Sequence, residues 1–273
     1  MAINLSDKLT ADHSENYIMS IRLRSGGLSF SAYSPSVSES FFYRDVEFDR
    51  TRPYVSSLKE CFFENDFLTW FYKQVNVVCV TSQYTLVPAA VFQEKQKAEL
   101  LAFTFSSPEG RCLSNELKDE PAELVFGVDE DVYEFCSRSL VNPRFVHHVG
   151  PLLSLWKKQS RARLPRQLYV VLHRRRMECY AQGNLLFVNS FEYEHTDDIL
   201  YYILYVWKQV GMDQQKDQLR LFGDVPLRND ITNTLRNYLQ YIDPLEIPSE
   251  AYLMGSEVLQ APLDLIALSL CEL

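Results

Sequence analysis

The chain has 273 residues, room for two compact lobes of ordinary size or one large domain. Its 47% hydrophobic content, with 17 Phe and 16 Tyr, supplies a real core and argues against disorder. Asp and Glu outnumber Lys and Arg by 36 to 27, and the resulting formal charge of −9 argues against non-specific nucleic-acid binding as the main activity.

Met1 to Asp12 lacks the basic start and apolar core of a secretory signal, and the longest apolar helix, around Ile199 to Val210, is too short and polar to span a bilayer. A cytoplasmic protein without membrane insertion is the expectation. The six cysteines, Cys61, Cys79, Cys112, Cys136, Cys179 and Cys271, show no paired CxxC spacing and sit among apolar neighbours, so they read as buried reduced thiols.

From Tyr17 to Leu23, Tyr17, Met19, Ile21 and Leu23 alternate with Ser20 and Arg22, the pattern of a half-buried strand. Ser25-Gly26-Gly27 supplies the positive φ of a tight turn, and Leu28, Phe30 and Ala32 alternate with serines in the return strand. Phe41 to Phe48 reads as a third strand. Pro53 opens a helix with Leu58, Cys61, Phe62, Phe67, Leu68 and Phe71 at helical spacing, and Val75 to Val80 is an apolar strand covered on both faces. Pro88 to Leu101 is expected to be helical and Ser106 to Pro121 a surface loop. A strand at Leu124–Val128, a helix near Asp131–Leu140, a strand at Arg144–His148 and a helix at Leu152–Gln159 complete the first half.

The basic stretch Arg161 to Arg166 marks the junction. Then Leu168–Leu172 and Met177–Ala181 form a hairpin about His173–Arg176, Gly183-Asn184 turns the chain, and Leu185–Phe191 is the third strand. Thr196, Asp197 and Asp198 start a helix through Ile199, Ile203, Val206, Trp207 and Val210 to Gly211. Leu219–Phe222 is the buried strand, Gly223-Asp224 its turn, and Ile231–Leu239 a further helix. Tyr201, Tyr202 and Tyr205 read as core with polar tips at the rim, an aromatic partner-binding patch being the alternative. The C-terminal stretch Pro262 to Leu273, with Leu263, Ile266, Ala267 and Leu270 on one face, is an amphipathic helix expected to dock on the body.

The order β-β-β-α-β thus runs twice, across Tyr17–Thr81 and Gln167–Asp224, which suggests an internal duplication. This order resembles the actin-like ATPase fold shared by actin, Hsp70 chaperones, sugar kinases and pilus-assembly proteins, and more closely an uncharacterised bacterial family assigned to that fold. The resemblance implies an α/β, two-lobed protein, each lobe a mixed β-sheet with packed helices, with residues 1–160 as the N-terminal lobe and 161–273 as the C-terminal lobe, the alternative for the C-terminal helix being to pack back on the first lobe. It also implies a ligand site in the cleft between them.

In active relatives each lobe's first hairpin holds phosphate through a strand ending in Asp, followed closely by Gly; the acid helps place a hydrated Mg²⁺. Here the first hairpin reads Ile21-Arg22-Leu23-Arg24-Ser25-Gly26-Gly27 and the second Val171-Leu172-His173-Arg174-Arg175-Arg176. In the first, glycines remain but arginines stand where the acid belongs; the second has neither acid nor glycine. The adenosine-side Gly-Gly pair is reduced to Gly223 in Leu221-Phe222-Gly223-Asp224. Hydrolysis by the usual mechanism is therefore not expected, and neither a catalytic residue nor a cofactor is assigned.

The candidate ligand set is Arg24, Ser25, Gly26, Gly27, Arg174, Arg175, Arg176, Gly223 and Asp224. Lys157, Lys158, Arg161, Arg163, Arg166 and Arg174–Arg176 form a basic concentration in an acidic chain: either a solvated junction or an anion site. The five histidines suggest no metal site, since His147 and His148 on one strand would face opposite ways. Two functional readings stay open. One is a non-hydrolysing binding or scaffolding module for a protein partner or an anionic small molecule; the other is a phosphotransferase or ATPase with arginine-rich phosphate loops.

Overall fold

The computed structural model describes residues 9–108, 110–118, 120–159, 166–173, 176–181 and 186–271. It divides into two compact units, one of Met1–Ser154 with Pro248–Leu273 and one of Leu155–Ile247.

In the first unit β1 (Ile18–Arg24) turns at Ser25-Gly26 into β2 (Gly27–Tyr33), which pairs antiparallel with β3 (Phe42–Glu47). Gly26 takes φ +82°, the left-handed conformation glycine enters without steric cost. Pro53 then precedes α1 (Tyr54–Glu64). This helix was expected to run on to Phe71. It ends at Asn65, whose side-chain Nδ2 donates to the Cys61 carbonyl at 2.8 Å and so competes with the helical backbone, and the chain continues in a 3₁₀ turn. β4 (Gln74–Cys79) runs parallel to β1 and is buried from Val75 onward.

The expected helix over Pro88–Leu101 is in its first part a strand end and turns. β5 (Tyr84–Pro88) comes first, and α2 (Lys97–Thr104) starts only at Lys97, seating Leu101 against Val87 and Val125. The expected loop Ser106–Pro121 contains β6 (Arg111–Glu116), whose half-buried polar residues hide its strand character. β5 and β6 flank β7 (Ala122–Val128) in a three-stranded antiparallel sheet. α3 (Glu130–Ser139) is capped by the Asp129 carboxylate, which accepts from Val132 N–H at 3.0 Å. β8 (Arg144–His147) lies parallel to β4, and the division between units falls within α4 (Val149–Gln159). The main sheet of this unit has the order β3-β2-β1-β4-β8.

In the second unit β9 (Gln167–Leu172), β10 (Arg176–Ala181) and β11 (Phe187–Glu192) form an antiparallel meander. α5 (Thr196–Gln209) follows and buries Ile199, Ile203, Val206 and Trp207. Tyr201 and Tyr205 are exposed, contrary to a core role, because they fall on the opposite side of this helix. β12 (Gln218–Phe222) runs parallel to β9, and α6 (Val225–Leu235) begins directly after Asp224, earlier than the expected Ile231, with Pro226 in its first turn. β13 (Tyr241–Pro244), absent from the sequence reading, pairs parallel with β12. The sheet order is β11-β10-β9-β12-β13, with the same pairing senses as in the first unit.

α7 (Leu263–Cys271) belongs to the first unit. It was expected to be amphipathic, yet every residue from Leu263 to Ser269 is buried. Leu265 and Leu268 pack on Val78, and Asp264 meets Arg22. The Ser20 and Arg22 face of β1 is thereby sealed, and the strand is buried on both faces rather than half-buried.

At the start of α5 the Asp198 carboxylate accepts from the backbone N–H of His195 at 2.9 Å and of Glu194 at 3.0 Å. These bonds, first that to His195, hold its pKa below the usual aspartate value. A depressed folded-state pKa stabilises at neutral pH, and the gain is lost as pH falls through that pKa. Asp198→Ala is accordingly expected to lower Tm by about 2–4 °C at pH 7. The difference from wild type should shrink as pH falls below the usual aspartate value. A difference that persists undiminished at low pH would assign the effect to something other than the carboxylate.

Candidate functional site

Alternation along β1 puts Arg22 and Arg24 on one side of the first hairpin. Arg22 is buried, and its Nε donates to Asp264 Oδ2 at 2.7 Å. Asp264 is fully buried, and its other oxygen, Oδ1, accepts from Leu265 N–H at 2.9 Å. Arg24 lies 2.9 Å from Asp45 and 3.0 Å from Glu47, both on β3. Burial works against its charge, but these hydrogen-bonded carboxylates outweigh it and its pKa is raised.

The glycines of this hairpin serve packing. A Cβ on Gly27 would fall 2.2 Å from the Val46 carbonyl, and the Gly27 carbonyl accepts from the Tyr54 hydroxyl at 3.0 Å. Gly26 O accepts from Phe48 N–H at 2.8 Å. Ser25 is exposed at the tip. Arg24, Ser25, Gly26 and Gly27 therefore form one compact, internally satisfied turn.

In the second unit Arg174 and Arg175 lie outside the described residues, as does the side chain of Arg176, the first residue of β10. The Tyr193 hydroxyl donates to the carbonyl of His173, where that turn begins. Gly223, at φ +154°, brings the end of β12 against Leu172, whose Cβ would be 2.8 Å from an added Cβ. Asp224 is exposed ahead of α6, and its side chain makes no capping hydrogen bond. Of the remaining basic residues, Arg161 and Arg163 are outside the described residues, while Lys157 and Lys158 end α4. Arg166 Nη2 donates to the Gly211 carbonyl at 2.6 Å and to Asp217 at 2.9 Å.

All six cysteines are free; burial drives the Cys79 thiol pKa strongly upward and that of Cys136 to about 12, so both are protonated at neutral pH. His147 and His148 were expected to face opposite ways, but the strand ends at His147 and the two rings approach to 4.5 Å. His147 Nε2 donates to the Thr81 carbonyl at 3.1 Å, and Nδ1 lies 3.4 Å from the Val149 N–H that it accepts; His148 Nδ1 pairs with Cys79 O at 3.2 Å. Among the described residues no group of three or more His, Cys, Asp or Glu could hold a metal ion, and no helix is long and apolar enough to cross a membrane.

Asp264 is the residue of this region that sequence reasoning missed. Its signal was present: one carboxylate in the apolar run Leu263-Asp264-Leu265-Ile266-Ala267-Leu268 has to be buried with a cation.

The solved structures show the same architecture. The chain is 29% identical, with TM-score 0.80, to a protein of unknown function with actin-like ATPase fold from Bacteroides thetaiotaomicron VPI-5482, covering 96% of this chain and 99% of that one. It is 10% identical, with TM-score 0.51, to a chain of the PilM–PilN type IV pilus biogenesis complex, covering 92% and 93%. No curated protein matches. The protein thus has the actin-like ATPase fold, and residues 6–242 establish that it belongs to the family described as "Protein of unknown function (DUF3822)".

Proposed function

We propose that this chain is a cytoplasmic, non-hydrolysing actin-like-fold protein that works by binding, as a module for a protein partner or an anionic ligand. The Arg22–Asp264 pair carries the reading. A Mg²⁺-nucleotide site needs a carboxylate at the end of the first strand. Here that strand presents guanidinium groups, which repel a divalent cation, and the acids beside them are already paired, Asp264 with Arg22 at 2.7 Å and Asp45 and Glu47 with Arg24 at 2.9 and 3.0 Å. The residues present do not fit a hydrated Mg²⁺.

The common order of the two five-stranded sheets supports an internal duplication of the β-β-β-α-β unit. A protein of this fold in the PilM–PilN complex supports protein binding as the use. The arginines at 174–176 supply the chemistry for an anion, since guanidinium forks match phosphate and carboxylate.

The test is phosphate release by the purified protein with ATP and Mg²⁺, together with Tm in phosphate against chloride of equal ionic strength. Release at the buffer rate is expected, with a higher Tm in phosphate that is lost in Arg174→Glu/Arg175→Glu. Turnover above buffer that disappears in Arg24→Ala or in the Arg174/Arg175 variant would replace this reading with the arginine-loop phosphotransferase.

A further inference from the structure

The outer face of α5 carries tyrosines that the core does not use. Tyr201 is 61% and Tyr205 44% exposed, and their rings stack at 5.9 Å with an interplanar angle of 18°. The rings continue inward: Tyr201 meets Tyr202 edge-on at 5.4 Å, Tyr202 stacks on Phe191 at 4.6 Å, and Phe191 stacks on Phe187 at 6.4 Å. Phe187 and Phe191 lie on β11, the edge strand of the second unit's sheet, and with Tyr202 they pack against its core. The exposed pair is therefore fixed through an aromatic ladder to rigid structure.

Carboxylates stand on the N-terminal side of the pair. Asp197 precedes Tyr201 by one helical turn, as Tyr201 precedes Tyr205, so all three share a stripe on α5. Glu194 and Asp198 stand at the same end, with Asp198 accepting two backbone hydrogen bonds while remaining a carboxylate. Glu192 is opposite Arg176 in the β10–β11 register, and Lys208 closes the stripe beyond Tyr205. Exposed tyrosine faces beside acids favour a cation: the ring quadrupole attracts it, and a planar guanidinium also stacks. An ammonium, more strongly hydrated, has less to gain.

We propose that this face of α5 docks an arginine-bearing segment of a protein partner, with guanidinium groups stacked on Tyr201 and Tyr205 and paired with Asp197 and Glu194. The proposal does not rest on anion binding by the arginine turn considered above. The surface is small, and weak, salt-sensitive binding is expected.

The probe is a fluorescent peptide of six arginines spaced by glycine and serine, titrated with the full chain and read by anisotropy, alongside its lysine and citrulline counterparts. The arginine peptide should bind several-fold tighter than the lysine one, and citrulline should not bind. Tyr201→Ala/Tyr205→Ala should weaken the arginine peptide at least tenfold, whereas Tyr201→Phe/Tyr205→Phe should keep most of the affinity; equal Tm values establish that the variants fold. The alanine variant leaves net charge unchanged, so undiminished binding by it would assign the interaction to overall negative charge and overturn the proposal. So would absence of binding, equal binding of lysine, or a loss in the phenylalanine variant as large as in the alanine one.

Discussion

Asp264→Ala is expected to lower the unfolding free energy by about 3–5 kcal/mol, the cost of leaving one member of a buried ion pair without its partner. The size follows from where the charges sit. Asp264 has no solvent exposure and Arg22 only 4%, so water cannot replace the lost carboxylate around the guanidinium. Arg22→Met should cost a similar amount by stranding Asp264. Replacing both, as Arg22→Met/Asp264→Leu, should regain most of the loss, because an apolar pair of similar volume avoids the desolvation of two ions. Urea unfolding of the three variants measures this. If the double variant is as unstable as the sum of the singles, the pair is not the coupled unit inferred here.

Gly27→Ala is expected to destabilise by about 2–3 kcal/mol, the upper part of the overpacking range. The obstacle is backbone: the new Cβ would stand 2.2 Å from the Val46 carbonyl oxygen, so β3 has to move relative to β2. Gly26→Ala should cost about 1–2 kcal/mol instead. It has room beside the Arg50 side chain, and only its φ of +82° opposes a side chain. Ser25→Ala, at the exposed tip, should change stability by less than about 0.5 kcal/mol. The order Gly27, Gly26, Ser25 is what a packing role for the glycines demands. If Gly27 were present only to let phosphate approach, its change would be tolerated in the ligand-free protein, and thermal melts would not place it above Gly26.

Local signals made much of this molecule legible before its structure. The alternation Met19-Ser20-Ile21-Arg22-Leu23 with Gly26 behind it encodes the first hairpin, and the apolar run from Val75 encodes the central strand β4. Ile199, Ile203, Val206 and Trp207 at helical spacing, behind Asp198, encode α5. Each rests on side-chain period or turn chemistry within a few residues. β6 and β13 escaped because edge strands are short and half-exposed, so their residues lack a burial pattern. The stop at Asn65 escaped because the apolar spacing continues past it.

The candidate site divides the same way. Sequence by itself determined that no acid stands at the end of β1 or β9, that arginine ends β1 and that arginines follow β9 after His173, since residue identity needs no geometry. It also determined the turns at Gly26 and Gly223, because a positive φ favours glycine. Only the tertiary structure decided what those residues touch. Arg24 meets two carboxylates on β3, Gly27 is held by the Val46 carbonyl, and Arg22 is matched to an aspartate 242 positions away. Whether β1's polar face is wet or sealed depends on α7, and no periodicity within β1 encodes it. Burial and charge pairing are properties of the surface that arrives, and a distant helix brings that surface.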